Sequence, residues 1–270
     1  PIGNIRRARH VAGFQAGARF RLAAFEARGA ARIQNLGIAQ RRLDRMEGRD
    51  FIAVELGAHL IDFFSPDAMF PTDAAANFNA LGGLALDGSG NLYVADSSNH
   101  AVRRVVTSTG VVTTIAGSAR HNGNTDGLGA AARFIEPGFM AADGCGNLYV
   151  SDTLNYAIRK VILATGAVTA VAGTSFLPGN ADGTGPAARF NTPAGLAVDS
   201  FGNLYVSDFR NHTIRKVMLS TGAVTTVAGA AGMNGSTDGI GAAARFNFPS
   251  ALALDSSGNL YVADSENSTL

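Results

Sequence analysis

Four copies of one short stretch bring together side chains that can bind a metal ion or transfer a proton. The first copy, GNLYVADSSNHAVRRV from Gly90, holds Asp96, Asn99 and His100. Carboxylate, amide and imidazole groups are ligands of divalent metals, and histidine and aspartate are common acid–base catalysts. The related stretches begin, at steps of 56 residues, at Gly146, Gly202 and Gly258.

The recurrence bears on the chemistry, because a catalytic residue is normally needed once and these groups occur in successive copies. The recurring residues are Asp96, Asp152, Asp208 and Asp264, then Asn99, Asn155 and Asn211, and finally His100 and His212. We interpret them as a structural repeat motif, in which aspartates accept backbone N–H bonds in the turns that follow and asparagines occupy left-handed positions. A ring of acids holding a cation at a channel mouth is the alternative.

The elements that must position these groups are clearest in the third copy. Gly195–Asp199 and Leu204–Asp208 predict two apolar strands joined by a tight turn. The alternating stretch Thr213–Leu219 predicts a third strand, and the β-branched stretch Ala223–Gly229 a fourth. Four short antiparallel strands per repeat predict an all-β fold of β-propeller blades, about three and a half in number and therefore an incomplete ring.

The repeat also sets the expected domain organisation. Taking Phe of the recurring pair Arg-Phe as the phase marker, the blades are 78–133, 134–189, 190–245 and a partial 246–270. Residues 1–77 form a non-repeat N-terminal segment. A ring needs about four to eight blades, so we expect the protein to be a fragment whose parent has at least two further copies.

Three interpretations of the N-terminal segment stay open. Its stretch Phe20–Gly48 contains helix formers, interrupted by Gly29 and Gly37, and residues 1–50 hold eleven arginines against four acidic residues. It is a possibly helical linker or flanking region, a basic amphipathic segment for a membrane surface, or an out-of-frame translation of GC-rich DNA, which fits its lysine-free, Ala/Arg/Gly-rich composition.

The charge balance and the hydropathy of the chain argue against nucleic-acid binding and against a membrane span. Residues 78–270 have eleven basic and thirteen acidic residues, without the basic surplus of a nucleic-acid-binding protein. The chain has no run of eighteen apolar residues. We therefore predict no nucleic-acid partner and no membrane span.

The repeats resemble NHL repeats, a propeller-forming family. The matching motifs are PAGLAVD from Pro193, the heptapeptide GNLYVAD or GNLYVSD in all four copies, and Asn211-His212, which is followed after one residue by Ile214-Arg215-Lys216. The copies depart from the pattern at Tyr156 and Ser268, which replace the histidine, and each is lengthened by a DGxGxAARF loop.

The resemblance implies a function as well as a fold. It implies a six-bladed, TolB-like propeller in a bacterial secreted or cell-envelope protein, which gives an extracellular or envelope location as the expectation. The expected role is a non-enzymatic scaffold whose partner is a protein or a small ligand at the propeller rim or channel mouth. We predict no catalytic residue and no cofactor.

An enzyme is the alternative function. Propellers similar to gluconolactonase-type hydrolases and amidating lyases hold a channel metal with different ligands from different blades. Here the blades are nearly interchangeable, so such a metal would depend on blades outside this sequence.

The long loops are the predicted binding sites. They read NGNTDGLG, PGNADGTG and NGSTDGIG, and the candidate rim residues are Asn122, Asn124, Asp126, Asn180, Asp182, Asn234 and Asp238. Calcium is kept as an alternative ligand, because the first loop resembles the opening of an EF-hand, although Arg133 stands where that loop needs glutamate. The AARF at the loop end is expected to return each phenylalanine to the core between blades.

Overall fold

The computed structural model describes residues 5–7, 52–56, 59–63 and 76–267. The chain divides into two compact units, one of Pro1–Arg9 with Asp73–Leu270 and one of His10–Thr72. The second unit contains an antiparallel hairpin of β2 (Ile52–Leu56) and β3 (His59–Phe63). The predicted helical stretch Phe20–Gly48 lies outside the described residues.

The repeats fold as consecutive antiparallel sheets, which confirms the predicted all-β blades. The strands of blade 1 are β4 (Leu81–Leu86), β5 (Asn91–Asp96), β6 (Ala101–Val106) and β7 (Val112–Gly117). Blade 2 has β9 (Pro137–Ala142), β10 (Asn147–Asp152), β11 (Ala157–Ile162) and β12 (Ala167–Gly173). Blade 3 has β14 (Pro193–Val198), β15 (Asn203–Asp208), β16 (Thr213–Met218) and β17 (Ala223–Gly229). Blade 4 has β18 (Pro249–Leu254) and β19 (Leu260–Asp264).

The connectors between blades contain an element that the sequence pattern does not predict. We name residues 118–136, 174–192 and 230–248 connectors 1, 2 and 3. Within the first two lie the two-residue strands β8 (Gly127–Leu128) and β13 (Gly183–Thr184), which pair with β12 and β17. Each therefore adds a fifth strand to the blade that follows it. A two-residue strand has no alternating pattern, so sequence analysis predicts only a loop.

The core lies between blades, because neighbouring sheets pack face to face and share a cluster of buried apolar residues. Phe134 and Phe190 are fully buried, as expected from the AARF motif, and Phe246 is 2% exposed. Phe134 packs with Tyr93 of blade 1 and Leu148 of blade 2, so the junction is a shared apolar layer. The predicted return of these phenylalanines to the inter-blade core is confirmed.

One strand joins blade 4 from outside the repeats. β1 (Ile5–Arg7) pairs with β19 in parallel, with Ile5 opposite Leu260, Arg6 opposite Tyr261 and Arg7 opposite Val262. The described sheet of blade 4 therefore has the order β1–β19–β18.

Candidate functional site

A group of polar side chains, here called the polar hub, lies at the end of the second strand of each blade and is buried in blades 2 and 3. In blade 3 it consists of Asp208, Asn211 and Arg215. The carboxylate of Asp208 accepts hydrogen bonds from Asn211 Nδ2 at 2.7 Å and from Arg215 Nη1 at 2.8 Å. It also accepts the backbone N–H of Asn191 at 2.7 Å. Asp208 and Arg215 are both 0% exposed, so the pair is closed to solvent.

The arginine connects the hub to the preceding connector. Nη2 of Arg215 donates to the carboxylate of Asp182 at 2.7 Å and to the carbonyl of Ala181 at 3.0 Å. Its guanidinium lies 5.2 Å from the centre of the Phe190 ring. Because several bonds converge on one guanidinium, the connector is fixed to the blade that follows it.

The other blades repeat this arrangement in part. Blade 2 has the complete hub, in which Arg159 bonds Asp152 at 2.9 Å and the connector residue Asp126 at 2.6 Å. In blade 1, Arg103 bonds Asp96 at 3.0 Å. In blade 4, Asp264 accepts the Asn267 amide and the backbone N–H of Asn247, both at 2.6 Å. The recurring aspartates of blades 1, 2 and 3 thus each form an ion pair with an arginine of the third strand.

The geometry corrects one detail of the sequence interpretation. The aspartate that ends the second strand accepts a backbone N–H from 17 residues upstream, as Asp208 does from Asn191, and caps no backbone N–H of the turn after it. The left-handed residues of that turn are His100, Tyr156 and His212, not the asparagines. The asparagine instead bonds the aspartate through its side chain. Asp96, Asp152 and Asp208 are fully buried and so do not face an open channel.

Burial has the largest effect on the pKa of the hub carboxylates in blades 2 and 3. It raises the pKa of Asp208 and of Asp152 to about 6, against hydrogen bonds and the adjacent arginine charge, which lower it. At neutral pH both carboxylates are therefore ionised and form ion pairs with their arginines. An ionised pair in a dry site holds its geometry tightly, because either charge alone would be very costly to bury.

A second set of aspartates closes the turn between the first two strands. Asp199 Oδ1 accepts the backbone N–H groups of Phe201 at 2.9 Å and Asn203 at 2.8 Å, and Oδ2 accepts the hydroxyl of Tyr205 at 3.3 Å. Burial raises the pKa of Asp199, but these bonds and the Asn203 amide outweigh it, and the pKa is lower than usual. Burial and the Asp199 charge raise the pKa of Tyr205 to about 12. This is the Asx-turn expected of such aspartates.

The histidines connect one blade to the next. His212 Nδ1 accepts the backbone N–H of Phe248 at 3.1 Å, and its ring lies edge-on to the Phe248 ring at 4.6 Å. His100 Nδ1 accepts the N–H of Glu136 at 3.3 Å. A ring nitrogen that accepts a hydrogen bond carries no proton, so these contacts require Nδ1 of each imidazole to be unprotonated.

This contact predicts a pH effect that His212→Asn should reduce. Burial lowers the pKa of His212, and the charge of Asp264 opposes this. The folded state therefore prefers the neutral ring, and its contribution is lost as pH falls below the ordinary histidine pKa of about 6.5. Asparagine keeps an acceptor and tolerates the left-handed backbone but does not titrate. From pH 7 to 5, we expect the wild type to lose more stability than the variant, by less than about 1.4 kcal/mol per pH unit.

The measurement is urea unfolding of both proteins at each pH. Asp152 and Asp208 titrate in the same range with the opposite sign, since a raised folded pKa gives stability that is lost as pH rises. Both proteins contain them, so the difference between the proteins isolates His212. Parallel pH profiles would contradict the requirement for a neutral ring.

The predicted rim residues divide into two groups. Asp126 and Asp182 are anchors, because Asp126 accepts Arg159 and the N–H of Ala170, and Asp182 accepts Arg215 and Thr226. All seven rim residues are exposed, and the side chains of both anchors are 50% exposed. The other five are Asn122, Asn124, Asn180, Asn234 and Asp238. Asn234 donates to the side-chain oxygen of Asn247 at 3.2 Å.

Sequence analysis missed the residues in which the connectors differ. The first bend of each connector holds Arg120-His121, Phe176-Leu177 or Gly232-Met233 at the corresponding positions. Phe176 is 58% exposed, Leu177 52% and Met233 54%. Phe176 has a left-handed φ of +63°, and the residues at the equivalent positions are also left-handed, Arg120 at +67° and Gly232 at +73°. A bulky residue in this conformation is an outlier, and aligning the copies would have identified the variable position.

The described residues give no metal site and no membrane helix. No group of three or more His, Cys, Asp or Glu side chains in this part of the chain is arranged to hold a metal ion. No helix within the same residues has the length and apolar character needed to cross a bilayer.

The chain is similar to curated and solved proteins that are much longer. It is 27% identical over 187 residues to SUPPRESSOR OF QUENCHING 1 of Arabidopsis thaliana, covering 66% of this chain and 18% of that protein. It is 34% identical over 161 residues to NHL repeat-containing protein 2 of Bos taurus, covering 56% and 22%. The chain thus spans about a fifth of the length of these relatives.

Solved structures share the fold over about half of their length. A Bacteroides thetaiotaomicron protein of unknown function is 29% identical with a TM-score of 0.58, over 68% of this chain and 44% of that one. An auxiliary nutrient binding protein of Bacteroides ovatus is 21% identical with a TM-score of 0.56, over 71% and 47%. A streptogramin B lyase is 11% identical with a TM-score of 0.50, over 72% and 51%.

The family comparison agrees with the repeat geometry. The NHL repeat model matches residues 78–105, 190–217 and 246–270. These ranges contain the first two strands of blades 1, 3 and 4 and, in blades 1 and 3, all but the last residue of the third strand. The 56-residue period, the antiparallel blades and the similar relatives point the same way. Three of the four copies in this chain therefore match the NHL repeat, and the repeats fold as consecutive blades of a β-propeller.

Proposed function

We propose that residues 78–270 form a non-enzymatic interaction scaffold that binds a protein or ligand through its connector face. We define this face by the three connectors and the turns Ser97–Asn99, Thr153–Asn155 and Phe209–Asn211. These turns join the second strand of a blade to the third. Because successive strands are antiparallel, they lie at the same end of the blade as the connectors, and the turns between the first and second strands lie at the other end. We include a secreted or cell-envelope location in the proposal, and two of the similar solved proteins are bacterial.

The observation that carries the proposal is that each connector has a conserved part, which is bonded to the following blade, and a variable part. The variable part is the pair of residues at the first bend, here called the connector tip. Arg159 and Arg215 fix the first two connectors through Asp126 and Asp182. The connector tips, by contrast, differ: the tip of connector 1 is charged, that of connector 2 contains an aromatic residue, and that of connector 3 is small and apolar. Phe176 gains little burial to offset its left-handed backbone, which costs about 1–3 kcal/mol. A side chain held in this way is suited to contact a partner, since rigid aromatic residues are frequent anchors of binding surfaces.

The name of one similar protein supports a ligand-binding role. The Bacteroides ovatus chain is called an auxiliary nutrient binding protein, and it shares this fold over 71% of the present chain. Loops on a rigid β-scaffold are common sites of recognition, because they tolerate variation without altering the core.

The test compares Phe176→Ser with Phe201→Ser. Phe201 is 89% exposed in a turn at the opposite end of blade 3, so it is a matched loss of an exposed phenyl ring. A panel of soluble oligosaccharides, amino acids and peptides is screened against the wild-type chain by calorimetry. We expect a bound compound to lose about tenfold or more in affinity with Phe176→Ser, equivalent to about 1.4 kcal/mol, and to be unaffected by Phe201→Ser. Equal affinity in Phe176→Ser and the wild type would contradict the connector face as the binding surface.

The same bound compound decides between scaffold and enzyme. It is incubated with the chain in the presence of added calcium or zinc, and its mass is followed by mass spectrometry. A scaffold leaves the mass unchanged, whereas a hydrolytic or lyase product would support the metal-dependent alternative.

A further inference from the structure

The second blade departs from the other copies at the end of its first strand. The NHL repeat model matches parts of blades 1, 3 and 4, and blade 2 lies outside the matched ranges. Ala142 ends the first strand of blade 2, where the other copies have Leu86, Val198 and Leu254. Blade 2 therefore has the smallest side chain of the four at this position.

The turn after this strand has its own backbone conformation as well. Gly144 has a left-handed φ of +72°, whereas the equivalent residues of the other copies, Gly88, Ser200 and Ser256, have no positive φ. Glycine adopts this conformation without strain. A Cβ atom built on Gly144 or on Gly88 would meet no atom within 4 Å, so the backbone of both turns is open to a bound molecule.

The altered strand end and turn border a cavity between blades 1 and 2. Its volume is about 520 Å³, in the range of about 300–1,000 Å³ that small-molecule sites have. One wall is the first turn of blade 1, with Asp87 and Ser89, and the other is blade 2, with Ala142, Asn147 and Leu163. The cavity lies at the end of the blades opposite the connector face, because it is built from the turns that follow the first and third strands.

Asp87 gives the cavity a negative charge, since among the described residues that line it no other is charged. Burial raises the pKa of this carboxyl, but its hydrogen bonds outweigh burial and the pKa is lower than usual, so Asp87 is ionised at neutral pH. Oδ1 accepts the backbone N–H groups of Ser89 and Asn91, both at 2.9 Å, and Oδ2 accepts the Asn91 amide at 2.7 Å and the Tyr93 hydroxyl at 2.9 Å. A carboxylate has about four lone-pair positions, and here all are occupied. The carboxylate therefore attracts a cation by its charge but offers it no further hydrogen bond.

We propose that this cavity binds a methylated ammonium group, with Asp87 facing its charge and with Ala142 and Leu163 contacting its methyl groups. A primary ammonium has three N–H donors to satisfy, which the occupied carboxylate does not do, whereas a quaternary ammonium has none. Ser89 and Asn147 supply a hydroxyl and an amide for a polar group elsewhere on the same molecule. The site differs from the connector face and does not depend on the proposed function.

The test is calorimetric titration of the whole chain with choline, with ethanolamine, and with the uncharged alcohol in which a tert-butyl group replaces the trimethylammonium group. We expect choline to bind about tenfold or more tightly than either of the others. Asp87→Asn should weaken choline binding by about tenfold or more, whereas Asp199→Asn, which removes the same charge from the equivalent turn of blade 3, should leave it unchanged. Ala142→Leu should weaken it as strongly, because the larger side chain fills the cavity.

Two measurements keep the test decisive. Leucine is the natural residue at this position in blades 1 and 4, so Ala142→Leu should fold, which its urea-unfolding midpoint verifies; if it does not fold, the matched aspartate variants decide alone. Cys145, the single cysteine of the chain, is exposed in the cavity turn, so bound choline should slow its alkylation.

Four results would overturn the proposal. They are no choline binding by the wild type, equal or tighter binding of ethanolamine or the uncharged alcohol, choline binding that either Asp87→Asn or a folded Ala142→Leu leaves intact, and alkylation of Cys145 that bound choline does not change.

Discussion

Gly195→Ala should abolish stable folding of blades 3 and 4 or reduce the free energy of unfolding by more than about 3 kcal/mol. A Cβ atom at this position would meet the backbone of the neighbouring innermost strand β18, at 2.8 Å from Leu252 N and 2.9 Å from Ala251 Cα, and still closer to the Ser250 carbonyl oxygen. These atoms belong to backbone held by a paired strand and are unable to move aside as the end of a side chain would. Overpacking of this kind costs about 1–3 kcal/mol even where side chains can adjust.

The matched control is Gly88→Ala, in the turn between the first two strands of blade 1. A methyl group there meets no atom within 4 Å, and the backbone has no left-handed conformation to disturb. Its effect should stay within about 0.5 kcal/mol of wild type. Thermal and urea unfolding of both variants give the comparison, and similar midpoints would contradict the close approach of β14 to β18.

Arg215→Gln is expected to be the most destabilising side-chain replacement in blade 3, at about 3–5 kcal/mol. It removes the bonds to Asp208, Asp182 and the connector carbonyls together with the contact to the Phe190 ring. The carboxylate of Asp208 is then buried without its counter-charge, and connector 2 loses its attachment. Neither glutamine nor water replaces a guanidinium at a site that is 0% exposed.

Lys216→Gln is the control, because it removes the same charge from the next residue of the strand. Lys216 is only partly buried and faces away from the hub, so its effect should stay within about 0.5 kcal/mol. The double variant Asp208→Asn with Arg215→Gln should cost less than the two single losses added together, since it leaves no lone charge in the buried hub. Additive costs, measured by urea unfolding, would mean that the two side chains act independently.

The sequence predicts the repeated strands well because their signals are local. The turn after Asp199, the alternation in Thr213–Leu219 and the β-branched Ala223–Gly229 each specify one element, and the period fixes their order. Recurrence also indicates that a residue such as Asp208, which has an equivalent in every blade, is structural and is not a single catalytic residue.

The parts that sequence analysis did not predict depend on contacts between distant segments. The N–H bonded by Asp208 comes from Asn191, and the carboxylate bonded by Arg215 comes from Asp182, 33 residues away. No local pattern distinguishes an aspartate that anchors a connector from one that faces a ligand, so the sequence alone groups the anchoring residues Asp126 and Asp182 with Asn122 and Asn180. The variable position of Phe176 was visible in the aligned copies, but the constant motifs around it carried the stronger signal.

The direction of the connector bonds has an evolutionary consequence. Connector 2 contributes Asp182, Asn191 and Phe190 to the blade that follows it, through bonds to Asp208 and Arg215. A tandem duplication or deletion of 56 residues whose breakpoint falls at the start of a connector therefore moves a complete set of partners in one genetic step. A breakpoint between a connector and its blade joins the blade to the connector of the neighbouring copy. The contacts are then lost only if that copy differs at the positions that correspond to Asp182, Phe190 and Asn191. Genes of this kind can thus gain or lose a blade without compensating mutations, while the connector tips remain free to diverge.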